Sequence, residues 1–138
     1  MNLSPHLNFG GNCREAFRFY EQNVGGKVTV MLTQADMPDG SRAPGANPEA
    51  VAHARMTIGQ AELVGNDVPA DRFQPIRSAY LYLTVDTPED AERIYAALSE
   101  GGEVYMPLAE TFFASRFAML RDRFGVAWTL LCPRSANS

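Results

Sequence analysis

Two glycine doublets, Gly25-Gly26 and Gly101-Gly102, stand 76 residues apart, and their surroundings match. Before each comes a strand, a capping residue and a helix with an aromatic on its inner face, Tyr20 in one case and Tyr95 in the other. After each comes a strand that starts Lys27-Val28 or Glu103-Val104. The closing hairpins "MTIGQAELVG" and "RDRFGVAWTLL" place Gly59 on Gly125. A chain of this kind uses one β-α-β-β-β unit twice. Each unit's sheet has an apolar face that needs cover, and pairing the two units supplies it. The expectation is an α+β fold in which two tandem units, about 1–70 and 76–133, form a cupped mixed sheet within a single domain of 138 residues, with a frayed tail at 134–138.

The local signals fill in this frame. "HLNF" alternates polar and apolar and reads as a short strand, and Asn12 can cap the helix after it. In "REAFRFYEQNV", Ala16, Phe17, Phe19, Tyr20 and Val24 make a broad apolar face at helical spacing. "KVTVMLT" is rich in β-branched residues. The stretch "QADMPDGSRAPGANPEA" carries three prolines and two glycines and predicts a long loop or flap. "VAHARMTIG" and "AELVGND" form a hairpin turning at Gly59-Gln60. In the second half "AYLYLTVD" is a strand, and Thr87 caps a helix with Pro88 in its first position. That helix lines up Ala91, Ile94, Tyr95 and Leu98, and three strands follow, "EVYMPLAE", "SRFAMLRD" and "VAWTLLC", the last two joined by a tight turn at Arg123-Phe124-Gly125.

Charge and composition narrow the function classes. The net charge is −4 and the twelve Lys and Arg residues form no run, which argues against a nucleic-acid surface. No stretch approaches the length of a membrane span, and "MNLSPHLNFG" does not read as a signal peptide. Two cysteines near opposite ends, Cys13 and Cys132, give no disulfide framework and point to a reducing cytoplasm.

Three strings carry a family resemblance: "LNFGGNCREAFRFYEQNVGG", "AHARMTIG" and "MPLAETFFASRFAMLRDRFGVAWTLLC". Together with the doubled unit they resemble the PhnB-like branch of the vicinal oxygen chelate superfamily, which includes glyoxalase I, extradiol dioxygenases and bleomycin-resistance proteins. The likeness spans nearly the whole chain. Its most specific part is the last string, where similar proteins usually read Glu-Thr-Phe-Trp and this chain has Glu110-Thr111-Phe112-Phe113.

The resemblance implies a site for a divalent ion at four inward positions, on the first and last strand of each unit. Counted from the strings, they fall near Pro5, Leu63, Tyr80 and Thr129, none of which is a good ligand. A slip of one residue would offer His6 and Glu62 but turn each strand's inner face outward. The same slip at the other two positions gives Ala79 or Leu81 and Trp128 or Leu130, which cannot bind metal. The expectation is therefore no metal and no cofactor. Relatives are usually homodimers, so the resemblance also implies a homodimer.

Single residues supply the candidate chemistry. His53 lies mid-strand between alanines, where it can line a cavity as acid, base or polar contact or bond a neighbour structurally. Glu110 ends a strand beside two phenylalanines. It can be a desolvated general base, an ion-pair partner of Arg116 or Arg55, or an acceptor for loop amides. Phe112, Phe113, Tyr80 and Trp128, with Arg116, are the candidate ligand-binding residues, an aromatic wall suited to a flat small molecule. Two functions compete. One is small-molecule binding of the resistance or sequestration type. The other is an enzyme, either a metal-dependent lyase, isomerase or dioxygenase, or a metal-free catalyst using Glu110 and His53. A quinone methyltransferase would need a methyl donor, and no glycine-rich turn of the nucleotide-binding type follows any strand.

Overall fold

The computed structural model describes residues 1–134. Its elements are β1 (His6–Phe9), α1 (Cys13–Asn23), β2 (Lys27–Thr33), β3 (Val51–Ile58), β4 (Ala61–Asp67), β5 (Leu81–Thr84), α2 (Pro88–Ser99), β6 (Glu103–Ala109), β7 (Ala114–Arg121) and β8 (Ala127–Pro133). They form two four-stranded sheets, ordered β1-β4-β3-β2 and β5-β8-β7-β6. In each sheet the first strand pairs with the last in parallel and the other pairings are antiparallel. These are two β-α-β-β-β units. The chain divides into two compact units between Phe73 and Gln74.

The glycine doublets do the same two jobs in both units. Gly25 and Gly101 take φ of 83° and 73°, a left-handed turn that ends each helix and that a side chain would strain. The second glycine of each pair lets the next strand in close. A Cβ on Gly26 would collide with Met56, and one on Gly102 with the backbone of Arg121.

In the first unit α1 packs Cys13, Ala16, Phe17 and Tyr20 onto the sheet. Phe9 and Phe17 meet edge to face at 6.0 Å, which adds about 0.5–1.5 kcal/mol to their burial. Gly65 sits beneath this helix, because a Cβ there would lie 2.7 Å from the tip of Phe17. Asn12 occupies the N-cap but its side chain makes no capping bond. The Asp67 carboxylate does that work instead, accepting from the N–H groups of Gly11 (3.1 Å), Cys13 (2.9 Å) and, across the flap, Val51 (2.9 Å). The flap holds no long element, only short 3-10 turns at Gln34–Asp36 and Asp39–Ser41. Arg42 ties it together by donating to the carbonyls of Met37 and Ala35. Thr33 donates to Asp36 through backbone and side chain, which holds the Asp36 carboxyl below its ordinary range.

In the second unit Thr87 accepts from the Asp90 N–H at 3.1 Å, with Pro88 opening α2. The helix buries Ala91, Ile94 and Leu98, while Tyr95 is only half-buried, unlike Tyr20. The β7–β8 turn is built around a buried carboxylate. Asp122 accepts from the N–H groups of Phe124 (2.9 Å) and Val126 (3.0 Å) and from the indole of Trp128 (2.9 Å).

Candidate functional site

Strand alternation sorts every candidate by face. In the first sheet Leu7, Phe9, Ala54, Met56, Leu63 and Gly65 are buried on the side that carries α1. His6, His53, Arg55, Glu62, Val64 and Asn66 occupy the other side. This corrects the count that put Leu63 inside a cup: Leu63 is 4% exposed and pairs with Met56 beneath the helix. Of the strand positions weighed as metal ligands in this unit, His6 and Glu62 are turned away from α1.

That face carries a hydrogen-bonded chain. Arg55 donates through Nε to His53 Nε2 (3.0 Å) and through Nη1 to Glu62 Oε1 (2.5 Å). His6 Nε2 bonds Asn66 Oδ1 at 2.6 Å. Arg55 is the partner of Glu62, not of Glu110. His53 with its Nε2 accepting carries its proton on Nδ1, which leaves an N–H free to donate.

In the second sheet Ala118, Leu120, Trp128 and Leu130 face α2, and so does Arg116, which reaches Glu92 of α2 at 3.1 Å. Two expectations change here. Arg116 forms an ion pair with the helix on the covered side, away from Phe117. Trp128 is 2% exposed with its indole N–H given to Asp122, so it is a core residue and offers no surface to a ligand.

The opposite side carries Phe117, Met119, Arg121, Thr129 and Tyr82. The loop from Glu110 to Phe113 adjoins it. Phe113 lies edge to face against Phe117 at 5.1 Å and against Phe112 at 5.2 Å. Phe112 is 91% exposed and Phe113 48%. Tyr80 stands apart from this ladder, edge-on to Tyr105 at 6.4 Å, with the Arg121 guanidinium 5.9 Å over the Tyr105 ring. Arg121 also donates to the Ile76 carbonyl at 2.8 Å.

Glu110 is an ion-pair partner. Arg134, expected from the sequence to open a frayed tail whose other residues, 135–138, lie outside the described ones, donates from Nη2 to Glu110 Oε1 at 3.1 Å. The same guanidinium donates to the carbonyls of Thr111 (2.5 Å) and Phe112 (3.3 Å). Thr111 closes the loop by accepting the Ala114 N–H on its hydroxyl and donating its own N–H to the Ala114 carbonyl.

The donor set does not fit a divalent ion. Among the described residues no three His, Cys, Asp or Glu side chains stand close enough to share one. His6 and Glu62 already have partners in Asn66 and Arg55, and Thr129 and Tyr80 are poor ligands for the metals of this chemistry.

The first unit also holds a cavity of about 960 Å³ between the flap, the start of α1 and residues 68–72. Arg14, Glu15, Glu49, Asp67, Asp71 and Arg72 give its wall mixed charge. Nothing in the sequence marked it, because its walls meet only after the flap folds back. Cys13 lies beside it with its thiol pushed up to about 12, first by burial and then by the nearby charge of Asp67. No helix among the described residues is long and apolar enough to cross a membrane.

The family model for 3-demethylubiquinone-9 3-methyltransferase matches residues 1–131. The chain belongs to that family. The chain is 28% identical to Protein YjdN of Escherichia coli (strain K12) over 94% of each. Protein PA1353 from Pseudomonas aeruginosa has a solved structure that matches with TM-score 0.87 and 40% identity, over 98% of this chain and 99% of that one. A Bacillus cereus protein described as putative 3-demethylubiquinone-9 3-methyltransferase, PhnB protein, matches with TM-score 0.80 and 26% identity over 96% and 99%. At 15% identity a glyoxylase/bleomycin resistance protein/dioxygenase domain from Frankia sp. EAN1pec shares the fold, with TM-score 0.64 over 99% of this chain and 94% of that one. This family member is thus PhnB-like and has the vicinal oxygen chelate fold.

Proposed function

We propose that the protein binds a flat, largely apolar small organic molecule on the aromatic side of its second sheet. The observation that carries this reading is the edge-to-face ladder of Phe112, Phe113 and Phe117, held in place by a hydrogen-bonded loop while two of its rings remain exposed. Aromatic surface of this kind costs little side-chain entropy to present and binds flat rings well. Tyr80 lies on the same unit and is a further contact in this reading. On the first sheet the His53 Nε2 accepts from Arg55, which leaves it no open lone pair to act as a base and favours binding over acid–base chemistry. Glu110 would have to leave Arg134 to act as a general base, so the reading is binding without covalent chemistry. Methyl transfer, the activity in the family description, would need a methyl-donor site, and no glycine-rich turn of the nucleotide-binding type follows any strand of the sequence. A homodimer in the cytoplasm completes the proposal, and sedimentation as a monomer at micromolar concentration would contradict its dimer.

The test is a thermal-shift screen of aromatic compounds, since anything that binds only the native state raises its melting temperature. Naphthalene-2-methanol should raise the melting temperature of the native chain and fail to raise that of Phe113→Ala. Equal shifts for both proteins would overturn the reading.

A further inference from the structure

We infer that Arg134 is the positioning residue of this aromatic surface and that, by neutralising Glu110, it keeps the surface open to anionic as well as uncharged aromatic ligands. The inference rests on the binding reading above. One guanidinium makes three contacts with consecutive residues: the Glu110 carboxylate at 3.1 Å, the Thr111 carbonyl at 2.5 Å and the Phe112 carbonyl at 3.3 Å. A planar fork of five donors can do this, and a lysine ammonium on a flexible stem cannot reproduce it. Phe112 is 91% exposed; its ring lies against Phe113 and its carbonyl accepts from Arg134. The backbone bonds from Arg134 therefore decide where the loop presents its rings. The Glu110 side chain is 63% exposed, and the Arg134 side chain 35%. Removing Arg134 would leave a bare carboxylate beside the ring ladder. It would repel an anionic ligand and leave a neutral one unaffected by charge.

The test is a fluorescence titration at neutral pH with two probes of one shape, naphthalene-2-methanol and naphthalene-2-carboxylate. Arg134→Ala is expected to weaken the neutral probe about tenfold, as ring contacts are lost. It should weaken the carboxylate about threefold more, the size of an exposed charge contact. Arg134→Lys should weaken the neutral probe and keep the native ratio between the probes. The double variant Arg134→Ala/Glu110→Gln should bring the ratio back to the native value. Unchanged affinity for the neutral probe in both Arg134→Ala and Arg134→Lys would overturn the positioning role. Equal weakening of both probes in Arg134→Ala would overturn the charge role. If Arg134→Ala does not fold, Arg134→Lys decides the positioning role and Glu110→Gln the charge role, with a probe ratio outside the native value expected. Phe113→Ala separates this from the underlying reading: undiminished binding of the neutral probe there would sink the aromatic site itself, whatever Arg134 does.

Discussion

Arg55 donates through Nε to Nε2 of His53 at 3.0 Å, while its Nη1 is held by Glu62. The contact requires a neutral imidazole with its proton on Nδ1. Nitrogen NMR of the imidazole should therefore show an unprotonated Nε2 in the native protein at neutral pH. Arg55→Leu should mix the two tautomers, and a native protein with Nε2 already protonated would refute the arrangement.

Asp67 joins three backbone segments through the N–H groups of Gly11, Cys13 and Val51. Asp67→Ala removes the carboxylate that accepts all three bonds and should cost about 2 kcal/mol, the scale of bonds to a charged group. Hydrogen exchange should speed up at Val51 and Cys13 together. Unchanged protection of the Val51 amide would show that the flap is anchored some other way.

Asp122 is 3% exposed and accepts from Phe124, Val126 and the Trp128 indole. Asp122→Ala strands buried donors and should destabilise by roughly 3 kcal/mol. Trp128 is the only tryptophan, so its emission reports this turn directly. A red-shifted native emission and a lower urea midpoint are expected. A midpoint equal to that of the native protein would refute the turn's role.

Cys13 has its thiol pushed from 9.0 to about 12, chiefly by burial. The folded protein then keeps a proton that the unfolded chain loses. Stability from this group is fully present below the unfolded value of 9.0 and falls away as pH rises toward about 12. Chemical denaturation should show a shallower alkaline loss for Cys13→Ala than for the native chain. Identical slopes would contradict the shift.

The doubled unit is legible in the sequence because its glycines have backbone jobs that no other residue performs. Gly25 and Gly101 both turn left-handed, and the strand and helix signals around them are local. The faces of the strands are another matter. "AELVGND" has Leu63 and Val64 side by side, and which one is covered depends on Gly65 lying beneath Phe17. Trp128 sits in a run from Ala127 to Leu131 whose one polar residue, Thr129, gives no sustained alternation to read, so its place in the core was set by Asp122 and α2. Glu110 looked like a carboxylate in search of a partner among Arg116 and Arg55. Both of those arginines found acids within their own units, Glu92 of α2 and Glu62 of β4, and the partner came from Arg134 just past the end of β8. Pairings of this kind follow from tertiary packing, which spacing along the chain does not encode.

The central claim is that the second unit's ring ladder receives a flat ligand. Titration of isotope-labelled protein with naphthalene-2-methanol, followed by amide and aromatic NMR, tests it most directly. The account predicts saturable shifts that concentrate on Thr111, Phe112, Phe113, Phe117 and Met119. Shifts confined to residues outside this loop and β7, or no saturable shift at all, would contradict it.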